Sequence, residues 1–485
     1  MRWLDWEVMS TTATTSAGPD AALRYAAEHA DRFVDELCEL LRIPSISTQD
    51  EHLDDCRAAA MRLATELERI GLERVELHET GGPPILYAEW LGAGPGAPTV
   101  LLYGHYDVQP PDPLDEWLSD PFDPQEREGN LYARGASDDK GQLYTHVKAL
   151  ESILATDGRL PLNVKLVIEG EEESGSVHLD GFLEEHAAEL AADCGLISDT
   201  HMPGPDQPSL VASLRGMAYC EVTVSGPTHD LHSGLYGGTV RNPAEELGRL
   251  LATLKDADGR VLVEGFYDDV LELDPAERAR LAEVPFDEAG FLASSGAKHL
   301  HGEAGYSTAE RIGTRPTVEV NGIWGGYIDP GAKTVLPARA HAKVSMRLVP
   351  HQRPGSTAAL LRRHLEHHAP EGIGVEVREL HGGHPCLVDV KHPAMQAASA
   401  ALAAEFGRAP VFERAGGSIP VVASFAQVLG IAGTVLMGFG LPDDRLHSPN
   451  EKITLAQFHR GIAASIRFLH GYAAAPQSQE SSSAS

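Results

Sequence analysis

The stretch Val100-Leu101-Leu102-Tyr103-Gly104-His105-Tyr106-Asp107-Val108-Gln109-Pro110 decides how this chain folds. A run of apolar and β-forming residues ends at a glycine, a histidine and an aspartate. This order is typical of a buried parallel strand whose C-terminal tip emerges at a site. His105 and Asp107 are two positions apart, so on an extended chain their side chains point to the same side. The pair fits a metal ligand and its polar neighbour, although a lone His-x-Asp is more often part of an ordinary loop.

The composition limits the classes of partner. The 485 residues are 42% hydrophobic and 23% charged, which is enough for two or more hydrophobic cores. With 39 lysines and arginines against 71 aspartates and glutamates, the formal net charge is −32. Such acidity argues against nucleic acid or an anionic membrane as a partner.

Cysteine usage and the absence of targeting signals indicate the compartment. The five cysteines are scattered and include no Cys-x-x-Cys pair, which excludes a zinc ribbon and favours reduced thiols. The first residues lack the basic start and continuous apolar core of a signal peptide, and no apolar run is long enough to span a bilayer. We therefore expect a cytoplasmic protein.

Three further segments repeat the pattern of an apolar strand followed by an acidic group. Asp138 and Asp139 open a helix, a run of acidic residues at 169–173 follows a buried strand, and Asp199 ends another. An isolated Asp-Asp is usually a helix cap, and clustered glutamates are usually a solvated face. However, the carboxyl ends of parallel strands share one edge of the sheet, so we expect these groups to meet His105 there.

The assembled set suggests a metal centre. It contains two imidazoles and three carboxylates and no thiolate: His105, Asp138, Glu173, Asp199 and His447. Such ligands suit zinc, manganese or cobalt. Five ligands are too many for one open catalytic zinc, but they suit two metals that share a bridging carboxylate. Three carboxylates and one bridging hydroxide would balance the four positive charges.

Five motifs, in this order, resemble metallopeptidase family twenty, which holds aminoacylases, glutamate carboxypeptidases, succinyl-diaminopimelate desuccinylases and carnosine-type dipeptidases. The motifs are His105-Tyr106-Asp107, Ser137-Asp138-Asp139-Lys140-Gly141, Glu169-Gly170-Glu171-Glu172-Glu173-Ser174-Gly175-Ser176, Ile197-Ser198-Asp199 and His447-Ser448-Pro449-Asn450-Glu451. The resemblance covers about residues 20–472. The long insert and the segments 263–269, 316–327 and 333–337 look most like the carnosine-type dipeptidases.

The resemblance implies a role for each metal-centre residue. His105 and Asp199 would bind one metal, Glu173 and His447 the other, and Asp138 would bridge the two. Family members often have a cis peptide after the bridging aspartate, which here would be Asp138–Asp139.

The resemblance also implies residues that act on the substrate. Asp107 would orient His105, and Glu172 would be the general base. His232 would reach into the active site of a partner protomer, which implies a homodimer. Arg347 would grip the substrate's C-terminal carboxylate with its planar fork. Two further positions resemble substrate contacts: Thr334 and Ser418.

We expect an α/β fold with a di-metal exopeptidase catalytic domain, in which helices flank a mixed, mostly parallel sheet, and with an inserted α+β lid and dimerisation domain. One long helix is predicted over residues 20–42. The acidic segment 262–313 fits no pattern. The predicted boundaries are 1–19 for a disordered N-terminal segment, 20–212 and 385–473 for the catalytic domain, 213–384 for the insert and 474–485 for a disordered tail.

The predicted activity is hydrolysis of dipeptides with a free C-terminal carboxylate, by a hydroxide that bridges two divalent metals, zinc before manganese or cobalt, with Glu172 as the base. An N-acyl- or N-succinyl-amino-acid amidohydrolase with the same metal site is the alternative. An inactive metal-binding scaffold would not need Glu172. The near-match to a phosphate loop at 326–334 fails because Ala332 shifts the lysine out of register. No Gly-x-Ser-x-Gly elbow supports a serine hydrolase.

Overall fold

The computed structural model describes residues 18–417 and 419–476. Within these ranges the chain has the mixed α/β character that its pattern predicts. The helices are α1 (Asp20–Glu28), α2 (Ala30–Leu41), α3 (Leu53–Ile70), α4 (Lys140–Asp157), α5 (Leu179–Glu185), α6 (Ser233–Tyr236), α7 (Pro243–Ala252), α8 (Pro275–Leu281), α9 (Glu288–Ser295), α10 (Thr308–Thr314), α11 (Pro354–His368), α12 (Pro393–Phe406), α13 (Pro420–Gln427) and α14 (Leu455–Ala474). Among these helices, none combines the length and the apolar character that crossing a bilayer requires.

The strands alternate with these helices along much of the chain. They are β1 (Arg74–His78), β2 (Ile85–Trp90), β3 (Thr99–His105), β4 (Gln125–Arg127), β5 (Asn130–Tyr132), β6 (Asn163–Glu169), β7 (Cys194–Ile197), β8 (Ser209–Leu214), β9 (Gly216–Ser225), β10 (Leu231–His232), β11 (Thr317–Gly325), β12 (Val335–Leu336), β13 (Arg339–Leu348), β14 (Gly374–Gly383), β15 (Cys386–Leu387), β16 (Val411–Ala415), β17 (Thr434–Leu436) and β18 (Lys452–Thr454).

A six-stranded sheet in the order β1-β2-β6-β3-β7-β17 carries the predicted focal strand. Strands β6, β3, β7 and β17 are parallel, and β1 and β2 are antiparallel additions at one side. Six of the seven residues of β3 are buried, because helices cover both faces of the sheet. Leu102 joins the core under α4, α12 and α14, whereas Leu101 and Tyr103 join the core under α5 and α13. The sheet is mixed and mostly parallel, as predicted.

A second, antiparallel sheet in the order β11-β13-β9-β14 lies within the predicted insert. Buried and partly exposed residues alternate along β9 and β13, as expected for strands with one face on a core. Helices α7 and α11 cover that face and share a separate apolar core with the strands, which includes Val222, Val344 and Leu361. The α+β insert of the predicted fold class is therefore present.

The prediction of one helix over 20–42 is wrong, because α1 ends at Glu28 and α2 begins at Ala30. The interruption lies at His29. Its backbone N–H donates to the carbonyl oxygen of Tyr25 at 3.1 Å, and its ring nitrogen Nδ1 lies 2.8 Å from the same oxygen. A side chain that shares the carbonyl of the preceding turn competes with the helical hydrogen-bond pattern.

Other differences concern segments without a clear apolar period. The unassigned segment 262–313 forms α8, α9 and most of α10. Strand β14 was not predicted, and only Val377 of its ten residues is buried, so it lacks the alternation that marks a strand. Helix α14 continues to Ala474, one residue into the predicted tail. The predicted disorder of 1–17 and of 477–485 lies outside the described residues.

Candidate metal centre

His105 lies at the C-terminal tip of β3, where two carboxylates approach its ring. Nε2 of His105 lies 3.2 Å from Oδ1 of Asp138 and 4.0 Å from Oδ2 of Asp199. Asp199 follows β7, which is parallel to β3 and adjacent to it, so both strands bring their ends to the same edge. The three side chains form one candidate ligand group, with ligand atoms within 4.8 Å of one another.

Asp138 also belongs to a second candidate ligand group, with Glu173 and His447. Nε2 of His447 lies 3.0 Å from Oδ2 of Asp138 and 3.3 Å from Oε2 of Glu173. Each oxygen of Asp138 therefore faces a different histidine. The fold brings together all five residues predicted as metal ligands, and the Asp138–Asp139 peptide is cis, as expected.

The donor atoms of this cluster fit a cation. Within the described residues, Nε2 of His105 and Oε1 of Glu173 are buried without a hydrogen-bond partner. Nδ1 of His105 lies 3.2 Å from the carbonyl oxygen of Asp107, and a proton on this nitrogen would leave Nε2 a lone pair for a metal ion. A buried polar atom without a partner costs about 1–3 kcal/mol. A divalent cation in each ligand group would accept one of these lone pairs and remove the cost, and imidazole with carboxylate suits zinc, manganese or cobalt.

The electrostatics of the cluster also favour cations. Burial raises the pKa of Asp199 to about 7, and the nearby charge of Asp138 adds to the shift. Burial likewise raises the pKa of Glu172 to about 9, with contributions from Asp199 and Glu173. Hydrogen bonds to Asp138 and then Glu173 raise the pKa of His447 to about 10. The carboxylates thus repel one another, and bound cations would reverse these shifts.

Asp107 fixes the positions of several site residues from beneath the cluster. Its carboxylate is fully buried, and Oδ1 lies 3.3 Å from Nδ1 of His105. It accepts hydrogen bonds from the hydroxyl of Ser47 at 2.6 Å and from the backbone N–H groups of Glu172 and Glu173 at 3.3 and 3.1 Å. This arrangement is compatible with the predicted orienting role of Asp107. It also bonds the turn that carries Glu172 and Glu173, here called the glutamate turn, to the tip of β3.

Sequence reasoning missed polar residues that contact the cluster. Nε2 of Gln109 donates to Oε2 of Glu173 at 2.8 Å. Gln109 lies two positions after Asp107, so the same spacing that singled out His105 could have found it. Ser47 follows α2 and carries no comparable signal. Glu451 ends the motif that begins at His447, but neither the pattern nor the resemblance predicts a role for it.

Three of the residues predicted to act on the substrate lie in the insert: His232, Thr334 and Arg347. His232 is exposed, and its Nδ1 accepts the backbone N–H of Gly234 at 3.0 Å. Strand β10 pairs with β12, so Ser233 donates to the carbonyl oxygen of Thr334 at 3.1 Å. Within the described parts of the chain, neither His232 nor Thr334 has a hydrogen bond or ion pair to the metal centre. Arg347 lies on β13, and Ser418 lies outside the described residues.

Arg215 is a further candidate that the sequence patterns did not single out. Its Nε donates to the carbonyl oxygen of Gly416 at 3.0 Å, and its backbone N–H donates to that of Gly417 at 3.2 Å. Burial, and then the positive charge of Arg347, lower the pKa of Arg215 to about 10. Two guanidinium groups close enough to interact, beside one loop, are suited to a carboxylate.

A third acidic group, in the α2–α4 region, differs from the metal centre. Glu36, Glu66 and Glu151 have oxygens close to one another. However, the ammonium group of Lys148 donates to all three, and Arg69 bonds Glu66 and Glu151. These carboxylates already have cationic partners from the chain, so this group is a buried ion-pair network.

Comparison with known proteins gives a consistent result. The profile of peptidase family M20/M25/M40 matches residues 101–471. A Cys-Gly metallodipeptidase of Schizosaccharomyces pombe is 32% identical, over 91% of this chain and 95% of its own length. The human Beta-Ala-His dipeptidase is 32% identical, over 94% of this chain and 93% of its own. The crystal structure of an M20 family metallo-carboxypeptidase from Sulfolobus solfataricus superimposes with a TM-score of 0.79 at 35% identity, over 91% of this chain and 99% of that one.

Proposed function

The chain belongs to peptidase family M20/M25/M40, and from this premise we propose that it hydrolyses dipeptides with a free C-terminal carboxylate by means of two divalent metal ions. The membership confirms the resemblance that the five motifs indicated. Asp138 carries the proposal, because its two oxygens lie 3.2 and 3.0 Å from the Nε2 atoms of His105 and His447. A carboxylate shared by two ligand groups is what a two-metal hydrolase needs.

The proposed site assigns each ligand to an ion. His105 and Asp199 would hold one, Glu173 and His447 the other, and Asp138 both. Ions held there would supply Lewis acidity toward a carbonyl oxygen and would lower the pKa of a water molecule to about 7. Zinc is the proposed metal, with manganese and cobalt as the alternatives that the donor set allows.

Glu172 is the proposed general base. It takes the proton of the attacking water and passes a proton to the nitrogen of the leaving amine, since amide hydrolysis needs both transfers. Two features support this role: its backbone N–H is held by Asp107 at 3.3 Å, and its carboxyl is close enough to Asp199 and Glu173 for their charges to raise its pKa. In such an environment, the pKa of the Glu172 carboxyl depends on the charges beside it.

Recognition of a free C-terminal carboxylate is proposed for Arg347, assisted by Arg215. The contact of Arg215 with Gly416 ties this pair to the loop that precedes α13. Thr334 and Ser418 are proposed as further contacts on the substrate. The Cys-Gly and Beta-Ala-His dipeptidases are equally similar to this chain, at 32% identity, but their names give different substrates. The preferred dipeptide must therefore be measured.

A homodimer through the inserted domain is proposed as the active form. Strand β11 is at the edge of its sheet, and unpaired edges with apolar side chains are association surfaces. Ile323 on this strand is 62% exposed, and Leu235 on α6, three residues after His232, is 74% exposed. The exposed His232 would stabilise the oxyanion in the site of a second subunit.

The proposed activity is tested by stripping the protein of metal and adding back zinc, manganese or cobalt. The substrates are Cys-Gly, β-alanyl-histidine, a tetrapeptide with a free C-terminus, and N-acetyl and N-succinyl amino acids. Metal-dependent cleavage of the free dipeptides supports the proposal. Cleavage of only the acylated compounds would instead favour the amidohydrolase alternative, and preferential cleavage of the tetrapeptide a carboxypeptidase.

A further inference from the structure

Glu451 is a buried carboxylate that the proposed mechanism does not use. Its exposed fraction is 0%, and both of its oxygens accept hydrogen bonds from one short segment. Oε1 accepts the backbone N–H groups of Ser137 at 2.9 Å and Asp138 at 3.1 Å. Oε2 accepts the backbone N–H of Gly135 at 3.0 Å and Nη1 of Arg134 at 2.7 Å. Four donors therefore surround one carboxylate.

These contacts join the two loops that supply Asp138 and His447. Glu451 is four residues after His447, and its carbonyl oxygen accepts the backbone N–H of Ala133 at 3.1 Å. Strand β18 then pairs with β5, which precedes the Asp138 loop. The hydroxyl of Ser137 donates to Asp444 at 3.2 Å and adds a second link. The loop that supplies Asp138 (residues 133–139) is thus bonded at five of its residues to the loop that supplies His447 (residues 444–451).

The backbone of the His447 loop needs such support. Arg445, His447 and Asn450 have positive φ angles of 58°, 56° and 64°, in the left-handed region that side chains other than glycine rarely adopt. Residues in this region are strained and persist only where the surroundings fix them. The hydrogen bonds of Glu451, charge-assisted and shielded from water, are among the strongest that a side chain can supply.

We propose that Glu451 is a positioning residue that sets the affinity of the centre for metal, by fixing the backbone of Asp138 against the His447 loop. The inference rests on the proposed function, because Asp138 is the residue proposed to bridge the two ions. Because Glu451 fixes the backbone N–H groups of Ser137 and Asp138, the oxygens of Asp138 would face both histidines before metal arrives. Partners behind metal ligands commonly change metal affinity by about 10–100-fold when they are removed.

The variant Glu451→Gln tests this role with little change in shape. The amide oxygen can still accept the N–H groups of Ser137 and Asp138, but the amide NH₂ group then faces the donors of Gly135 and Arg134. A matched control is Glu303→Gln in the insert. Glu303 is 8% exposed and accepts two hydrogen bonds from Arg315 at 2.8 Å, so this variant also breaks a buried Arg–Glu pair but touches no metal-centre residue.

The experiment measures zinc binding to the metal-stripped full chain, by competition with a chromogenic chelator and by metal content after desalting. Circular dichroism melting and kcat and KM at saturating zinc are recorded for each variant. We expect zinc affinity to fall by about tenfold or more in Glu451→Gln and to stay within twofold of the parent in Glu303→Gln. Excess zinc should restore part of kcat in Glu451→Gln, with KM little changed.

Unchanged zinc affinity in a folded Glu451→Gln variant would overturn the inference and leave Glu451 a structural residue. If this variant does not fold, Arg134→Lys takes its place, since a lysine keeps the charge but loses the fork that bonds both Glu451 and the carbonyl oxygen of Pro110. We expect it to weaken zinc binding several-fold, and unchanged affinity would again overturn the inference. A parent chain that binds no divalent metal would overturn the proposed function itself.

Discussion

At the scale of single residues, the two nitrogens of His105 face different surroundings. Nδ1 faces the carbonyl and the carboxylate of Asp107, whereas Nε2 faces the carboxylates of Asp138 and Asp199. The partner on the first nitrogen fixes the tautomer, and so it fixes which nitrogen can bind a metal. Gln109 acts on Glu173 in a similar way, because it donates a hydrogen bond to Oε2 and leaves Oε1 without a partner.

Glu172→Gln should distinguish metal binding from proton transfer by the base. We expect this variant to keep its metal content and to lose at least about a hundredfold in kcat, because an amide cannot take the proton of the attacking water. Metal analysis and steady-state kinetics check both parts. Glu171→Gln is the matched neighbour, since its carboxylate bonds His178 at 2.7 Å, and it should retain most activity. Full activity in Glu172→Gln would disprove the assignment of the base.

His146 on α4 should make the stability of the protein depend on pH. Its ring is buried, and burial lowers the pKa of His146 to about 4 from an ordinary value of 6.5. Between these values the unfolded chain binds a proton that the folded chain does not, so this group lowers stability as pH falls below about 6.5. At pH 4.5 the loss is about 2.5 kcal/mol relative to pH 7.

The measurement for His146 is urea denaturation of metal-free protein at pH 7.0 and 4.5, for the parent and for His146→Asn. Asparagine keeps a polar group near the hydroxyl of Ser465, which lies 3.1 Å from Nδ1. Because it does not titrate, the loss of stability on acidification should be smaller in the variant by about 2.5 kcal/mol. Equal losses in both proteins would show that His146 does not contribute to the acid sensitivity.

At the scale of elements, strand ends explain why the sequence could predict that these side chains lie together. Parallel strands β3 and β7 deliver His105 and Asp199 to one edge, and β6 delivers the glutamate turn beside them. These strands were visible in the sequence because they are apolar and end at polar residues. The ends of helix α12, at Pro393–Phe406, are also visible in the sequence, because proline begins it and glycine follows it.

Other elements had weaker signals or depended on distant pairing. The caps of α8 and α10 were readable, since Asp274 precedes Pro275 and Ser307 forms a capping box with Glu310, but few apolar residues recur between them. Strand β14 exists because β9 offers it an edge, and no local pattern shows that. Likewise, Glu451 meets Ser137 across 314 positions, a contact that only the fold creates.

The exposed edge of β11 gives a prediction about assembly. Ile323→Glu should convert a dimer into a monomer, because a charge within an apolar interface costs several kcal/mol in desolvation. Light scattering after gel filtration gives the mass. Leu118→Glu is the control, since Leu118 is 80% exposed outside the insert and should leave the mass unchanged. A dimeric Ile323→Glu variant would place the interface elsewhere.

At the scale of the whole molecule, the segment 262–313 connects the core of the insert with β16, which belongs to a small sheet in the order β15-β8-β16. Phe266 lies in the core of the insert, and its carbonyl oxygen accepts a hydrogen bond from Gln352. Helices α8 and α10 contact β16, where Arg414 forms an ion pair with Glu277. Because β16 leads into the loop that holds Arg215, this segment ties the insert to the proposed carboxylate site.

The proposed role of His232 requires two subunits. Within the described residues, His232 has no hydrogen bond or ion pair to the metal centre of its own subunit, and we propose that it acts in the other. His232→Ala should therefore lose turnover but keep its metals. When it is coexpressed with Glu172→Gln, each mixed dimer contains one complete site, made from the metal centre of one subunit and the histidine of its partner.

Random pairing makes half of the dimers mixed, with one active site of two, so about a quarter of the parental activity should return. The mixture of His232→Ala with Glu172→Gln is compared with each variant alone, and the double variant His232→Ala/Glu172→Gln coexpressed with the parent controls for the effect of pairing itself. In that control mixture, the mixed dimers contain no complete site. Restored activity can arise only if the two functions come from different chains. No recovery in proven mixed dimers would mean that His232 acts within its own subunit, through closure of the insert over the metal centre.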